Sequence, residues 1–62
     1  EDALPSRIGK PATRALLAAG VLTLTDVAAR SEAELLALHG VGPRAIGILR
    51  EALAERGLEL AP

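Results

Sequence analysis

The residues best suited to chemistry in this sequence form a glycine-rich stretch, Gly40-Val41-Gly42-Pro43-Arg44. Glycine lets a backbone approach a ligand without interference from a Cβ atom, and the proline indicates that a helix begins here. The first N–H groups of a helix lack partners and lie at the positive end of its dipole, so phosphate binds there. Arg44 adds a guanidinium for an adjacent phosphate oxygen. The stretch predicts contact with a phosphate backbone and no reading of base sequence.

A purely architectural interpretation of this stretch stays open. A tight turn between two helices also needs glycines for its geometry. Val41 would point inward and anchor such a turn to the core, whether or not a ligand binds.

The charges are unevenly distributed along the chain. Seven basic and eight acidic residues give a net charge of −1, which does not favour a generally basic nucleic-acid binder. Acidic residues are nevertheless missing between positions 3 and 25 and between positions 35 and 49, where the cations are Arg7, Lys10, Arg14 and Arg44. If the two stretches lie side by side, they form one positive edge. Alternatively, these four residues are ordinary solubilising side chains.

The composition excludes several kinds of site. The sequence has no cysteine and no aromatic residue, which removes thiolate chemistry and stacking platforms for single-stranded bases. Its Ser, Asp and His residues form no recognisable triad, and its glycine-rich stretches lack a phosphate-loop lysine. We therefore expect no enzymatic activity, no cofactor and no metal site. No apolar run approaches the roughly 18 residues of a membrane span, so we expect a cytoplasmic protein without membrane contact.

Proline and glycine mark the first and the last helix that must position these residues. The first helix is predicted over residues 11–19, with Gly20 just past its end. The last begins at Gly42 and Pro43 and ends at Gly57. Its apolar residues recur at the spacing of a buried helical stripe: Ala45, Ile48, Leu49, Ala52 and Leu53.

Two capping boxes predict two short helices in between. The boxes are Thr23 with Asp26 and Ser31 with Glu34. The helices that they open are predicted over residues 24–30 and 32–38, and no segment alternates long enough to predict a strand. The predicted core consists of Leu16, Val27, Leu35, Leu38, Val41, Leu49 and Leu53.

The chain also matches itself at an offset of 33 residues. The matched pairs are Ile8-Gly9 with Val41-Gly42, Ala12 with Ala45, and Leu16 with Leu49. Arg7 occupies the place of Gly40, and Pro5 lies just before it, so the first copy is degenerate.

Residues 38–45 resemble the helix-hairpin-helix motif, in which two helices flank a Gly-hydrophobic-Gly turn. The degenerate first copy favours the paired form of that motif. The resemblance implies an all-α, compact domain of four to five helices, similar to a sterile alpha motif. Because the chain starts at Glu1 and lacks Met, we expect residues 1–62 to be a single domain of a longer polypeptide.

A second resemblance extends over residues 16–60 and rests on residues 26–36, 41–42 and 53–60. These segments are similar to the C-terminal domain of the bacterial RNA polymerase alpha subunit. The resemblance implies binding of promoter DNA and of activator proteins in a bacterial cytoplasm.

The DNA-contacting positions of that family are only partly kept. Its critical Arg and Asn correspond to Pro11 and Arg14 here, and its Gly-Lys-x-Ser contacts correspond to Gly42, Arg44 and Ala45. A glycine and a positive charge remain, whereas the hydroxyl is lost.

Two functions are therefore weighed. The first is weak, non-sequence-specific binding of duplex DNA through its phosphates, and the alternative is a protein–protein docking module that binds no DNA. The predicted nucleic-acid contacts are Arg7, Gly9, Lys10, Arg14, Gly40, Val41, Gly42 and Arg44.

Overall fold

A computed structural model describes residues 2–62. Its elements are a 3₁₀ turn Ser6–Ile8 and the helices α1 Lys10–Ala18, α2 Leu24–Ala28, α3 Glu32–Leu36 and α4 Pro43–Glu55. Within the described residues there is no strand, only two isolated β-bridges. The radius of gyration is 9.9 Å, so the protein is a compact, all-α domain as the sequence predicts. None of the helices in residues 2–62 has the length and apolar character needed to cross a membrane.

The starts of α2 and α3 confirm the two capping boxes. The Thr23 hydroxyl accepts from the Asp26 N–H at 3.1 Å, and the Asp26 carboxylate accepts from the Thr23 N–H at 3.2 Å. Ser31 and Glu34 form the same reciprocal pair at 3.1 and 2.9 Å. These bonds satisfy N–H groups that the helix itself leaves without partners.

Both short helices end two residues earlier than predicted. After α2 the Arg30 N–H donates to the Val27 carbonyl, and after α3 the Leu38 N–H donates to the Leu35 carbonyl. Bonds of this i to i−3 type tighten the last turn and replace the α-helical pattern. The predicted ends at Arg30 and Leu38 were therefore too long.

Glycine ends the two longer helices as the sequence predicts. After α1, Gly20 has a φ of +82°, and the Val21 N–H donates to the Leu16 carbonyl at 2.8 Å. After α4, Gly57 has a φ of +73°, and the Leu58 N–H makes the equivalent bond at 2.8 Å. Both ends are Schellman motifs, in which a left-handed glycine lets the chain satisfy the last carbonyls.

The core forms around α4, which contacts the 3₁₀ turn, α2 and α3. Six of the seven predicted core residues are buried, and Leu38 is the exception because it lies in the turn after α3 and is only half-buried. The buried residues outside the predicted core set are Ile8, Ala12, Val21, Leu24, Ala45 and Ile46, of which Ala45 belongs to the predicted buried stripe of α4.

The two copies of the sequence repeat have equivalent structural roles. Gly9 and Gly42 are the residues that precede α1 and α4, and each helix carries a proline in its first two positions. All other matched pairs are buried on both sides of the match: Ile8 with Val41, Ala12 with Ala45, and Leu16 with Leu49. The repeat therefore reflects two similar turn-and-helix units.

The N-terminal and C-terminal segments are both fastened to the region around α2. The Leu24 N–H donates to the Asp2 carbonyl at 2.8 Å, and Ala3 forms an antiparallel bridge with Thr23. At the other end, the Ala61 N–H donates to the Arg30 carbonyl at 3.0 Å. The contacts of Asp2 and Ala3 give the N-terminal segment a fixed path along the domain, and the contact of Ala61 does the same for the C-terminal segment.

Candidate nucleic-acid interface

The turn between α3 and α4 lies directly against the start of α1. Gly40 has a φ of +101°, and a Cβ atom built on it would lie 2.9 Å from the Pro11 carbonyl oxygen. Real Cβ atoms do not approach a backbone oxygen so closely, and L residues rarely adopt this φ. Two independent constraints therefore require glycine at position 40.

This contact brings the starts of the two longer helices together. Pro11 is the second residue of α1, and Gly42, which precedes α4, follows Gly40 by two residues. Two peptide units span at most about 7.6 Å between Cα atoms. The chain that enters α4 therefore passes close to the first turn of α1.

Neither helix start is capped by a side chain of its preceding residue. Gly9 and Gly42 both lack a side chain, and no cap hydrogen bond forms at either position. Because Pro11 and Pro43 carry no N–H, the N–H groups left without a side-chain cap are those of Lys10 and Ala12 in α1 and of Arg44 and Ala45 in α4. At α1 the Thr13 hydroxyl donates to the Gly9 carbonyl at 2.8 Å, which holds the entering chain in place.

Gly42 itself has an ordinary backbone conformation. Its φ is −112° and its ψ is −178°, and no atom lies within 4 Å of the position that a Cβ would occupy. Neither its φ nor a contact with the protein's own atoms therefore requires glycine at position 42. The open space above Gly42 faces away from the protein's own atoms, where an external ligand can approach.

Val41 is the buried centre of the turn between α3 and α4. Its exposed fraction is 5%, and its N–H donates to the Leu38 carbonyl. Val41 therefore anchors the turn to the core, as expected.

Three of the predicted contact residues carry side-chain charges that nothing else in residues 2–62 neutralises. Lys10 and Arg14 are exposed on α1, one helical turn apart, and Arg44 is exposed in the first turn of α4. No salt bridge or side-chain hydrogen bond to another described residue involves any of them. They are available for an external anion.

The other cations have partners. Arg50 pairs with Glu32, and Arg56 lies 3.6 Å from the Asp2 carboxylate. Arg30 donates to the Ala19 carbonyl at 3.3 Å. The unpaired positive charges in the described part of the chain are thus confined to α1 and α4.

Arg7 differs from the other predicted contacts. It lies in the 3₁₀ turn and faces Glu51 of α4 across 4.0 Å, with both side chains about two-thirds exposed at 66% and 70%. A pair this long and exposed contributes little to stability. It nevertheless places an acidic residue beside the predicted positive edge, which the sequence did not reveal because Glu51 is distant in the chain.

A comparison of the chain with protein-family models and with curated proteins found no match in either. The assignment of a function therefore rests on the residues of the chain itself.

Proposed function

We propose that this domain binds duplex DNA through its phosphate backbone, with little dependence on base sequence. In this proposal the two turn-and-helix units act as a pair of helix-hairpin-helix motifs, the first of them degenerate. The observation that supports the proposal is the contact of Gly40 with the Pro11 carbonyl, which holds the turn before the uncapped start of α4 against the uncapped start of α1.

The binding groups are of two kinds. The free N–H groups at the starts of α1 and α4 donate hydrogen bonds to phosphate oxygens, helped by the positive ends of both helix dipoles. Lys10, Arg14 and Arg44 then neutralise phosphates on either side. Val41 holds the second turn in the core, and the missing side chain at Gly42 leaves room for the sugar-phosphate chain.

Binding of this kind is weak and depends strongly on salt. Three unpaired cations displace about three condensed counterions, so the slope of log K against log salt is about −2 to −4. The overall charge of −1 adds a slight repulsion. We expect a dissociation constant in the micromolar range or above, and no discrimination between duplexes of different sequence.

The test compares two arginines of the same helix. Arg44→Gln and Arg50→Gln each remove one positive charge from α4, but Arg44 is unpaired whereas Arg50 is paired with Glu32. Fluorescence anisotropy with a labelled random duplex at low salt measures the affinity. Arg44→Gln and the charge reversal Arg44→Glu should abolish most of the binding, and Arg50→Gln should change it little. Equal losses from both glutamine variants would contradict a located site.

The second candidate is a docking module that binds no DNA. Three large apolar side chains stay exposed and favour it: Leu17, Leu22 and Leu36, at 48%, 57% and 39%. If the wild-type domain retains no random duplex at low salt, the docking function replaces the DNA-binding proposal, and the Gly40 turn is purely architectural.

A further inference from the structure

An open groove lies beside the 3₁₀ turn Ser6–Ile8, between the N-terminal segment and α1. It encloses about 560 Å³, and its surface is chiefly apolar. Leu4, Pro5 and Ser6 form one wall, while Lys10, Thr13 and Arg14 line the α1 side. Among residues 2–62, no acidic side chain lines it.

The wall formed by the N-terminal segment has a fixed position. The bond from the Leu24 N–H to the Asp2 carbonyl and the bridge from Ala3 to Thr23 hold the chain just before the wall. Leu4, which is part of this wall, packs against the core. A groove with a wall held in this way is already formed before a ligand binds, which lowers the entropy cost of binding.

The charged rim of the groove is not neutralised by any residue from 2 to 62. Lys10 and Arg14 are four residues apart on α1, so their Cβ atoms are separated by about 6 Å on one face of the helix. Both are exposed, and neither pairs with an acidic residue among residues 2–62. The groove therefore combines an apolar interior with two adjacent positive charges.

An apolar interior beside two positive charges favours some classes of ligand over others. A phosphate backbone uses the charges but has no apolar group for the space beside Leu4 and Pro5. A purely aliphatic peptide fills that space but gives Lys10 and Arg14 no counter-charge. A peptide with an aliphatic side chain between carboxylates satisfies both, and the volume is within the usual range of about 300 to 1,000 Å³ for binding pockets.

We propose that this groove is a docking site for a short acidic peptide segment of a partner protein, with one aliphatic side chain inserted between Pro5 and α1. The carboxylates of the segment pair with Lys10 and Arg14. The site shares Lys10 and Arg14 with the proposed DNA interface but does not include Arg44 or the start of α4, and the proposal holds whether or not the domain binds DNA.

The first experiment uses three synthetic ten-residue peptides and the isotopically labelled domain. The first peptide has two central leucines flanked by glutamates; the second replaces the glutamates with lysines, and the third replaces the leucines with serines. NMR titration should show saturable binding of the first peptide, with shifts concentrated in residues 4–14. The other two should bind at least about tenfold more weakly. Equal binding of either control peptide, no saturable binding, or shifts centred elsewhere would overturn the proposal.

The second experiment separates the groove from the DNA interface. Ser6→Tyr fills the groove at an exposed position and changes no charge, so it should weaken the first peptide at least about tenfold and leave DNA affinity unchanged. Arg44→Gln should have the opposite pattern. The double variant Lys10→Gln and Arg14→Gln must also lose the peptide, with folding checked by circular dichroism. Full peptide affinity in folded Ser6→Tyr or in the double variant would show that the groove is not the site.

Discussion

Gly40 packs against Pro11 so closely that a Cβ atom on Gly40 would lie 2.9 Å from the Pro11 carbonyl oxygen. Because Gly40 has no side chain, the turn before α4 can pack directly against the first turn of α1. If the spacing increased, the starts of α1 and α4 would separate. The same glycine that resembles part of a phosphate-binding pattern is therefore also a packing requirement.

Gly40→Ala should destabilise the domain by about 2 to 4 kcal/mol, because it adds the strain of a positive φ to a steric conflict with backbone. Gly20→Ala is the matched control, since Gly20 has a φ of +82° but no atom within 4 Å of its Cβ position. It should cost only the conformational part, about 1 kcal/mol. Urea unfolding measures both. Equal effects of the two substitutions would mean that the contact with Pro11 carries no energy.

Leu49→Ala should cost about 2 to 5 kcal/mol, because it leaves a cavity at a fully buried position in the central helix. That is most of the stability that so small a core supplies, so the variant is expected to be largely unfolded at 25 °C. Leu22→Ala is the control, as Leu22 is 57% exposed, and it should stay within about 0.5 kcal/mol. If thermal unfolding finds similar midpoints for both variants, Leu49 is not a core residue.

Asp2 should make the domain sensitive to acid. Hydrogen bonding from the Thr25 side chain, followed by bonds from the Thr25 backbone and Thr23 and by the charge of Arg56, lowers the pKa of Asp2 against the opposing effect of burial. A lowered pKa means that the folded state binds fewer protons than the unfolded chain. The stabilisation is therefore complete above the ordinary pKa of aspartate and is lost as the pH falls through the lowered pKa.

Asp2→Asn tests this linkage. The variant should be less stable than the wild type at neutral pH, and the difference should shrink as the pH decreases from about 7 to about 2. Glu59→Gln is the control, because Glu59 is exposed and has no side-chain partner in the described residues. An unchanged gap between wild type and Asp2→Asn across this range, measured by urea unfolding, would rule out the linkage.

Local signals explain why the helix starts were predictable. The capping boxes at Thr23 and Ser31 act within four residues, and proline and glycine set φ by their own covalent structure. The burial of Leu16, Leu49 and Leu53 follows from the spacing on one helix face. These properties depend on neighbours in the sequence, so they can be recognised without knowledge of the fold.

Long-range contacts explain what the sequence did not reveal. Ile8 and Val21 are buried in turns, where no helical spacing marks them. The pairing of Arg7 with Glu51 and the groove beside Leu4 depend on how distant segments pack. Neither can be derived from the local sequence, and both change the shape of the predicted positive edge.

Gly42 offers the cleanest test of close approach by a phosphate backbone. A Cβ on Gly42 meets no atom of the protein, and its φ of −112° suits any residue. The weaker capping by alanine is offset by the lower entropy of the unfolded chain, so Gly42→Ala should change stability by less than about 0.5 kcal/mol. Because the new methyl group points into the space that the ligand backbone would fill, DNA affinity should nevertheless fall.

The control for Gly42→Ala is Gly47→Ala, on the same helix. Gly47 is exposed within α4 and also has open space around its Cβ position. Alanine there should stabilise the domain by about 0.5 to 1 kcal/mol and leave DNA affinity unchanged, since Gly47 lies more than one turn beyond the start of the helix. Anisotropy with a random duplex measures affinity, and urea unfolding measures stability. If Gly42→Ala folds normally and binds DNA as tightly as the wild type, the backbone of the second turn does not contact the phosphates, and Lys10, Arg14 and Arg44 alone account for any binding.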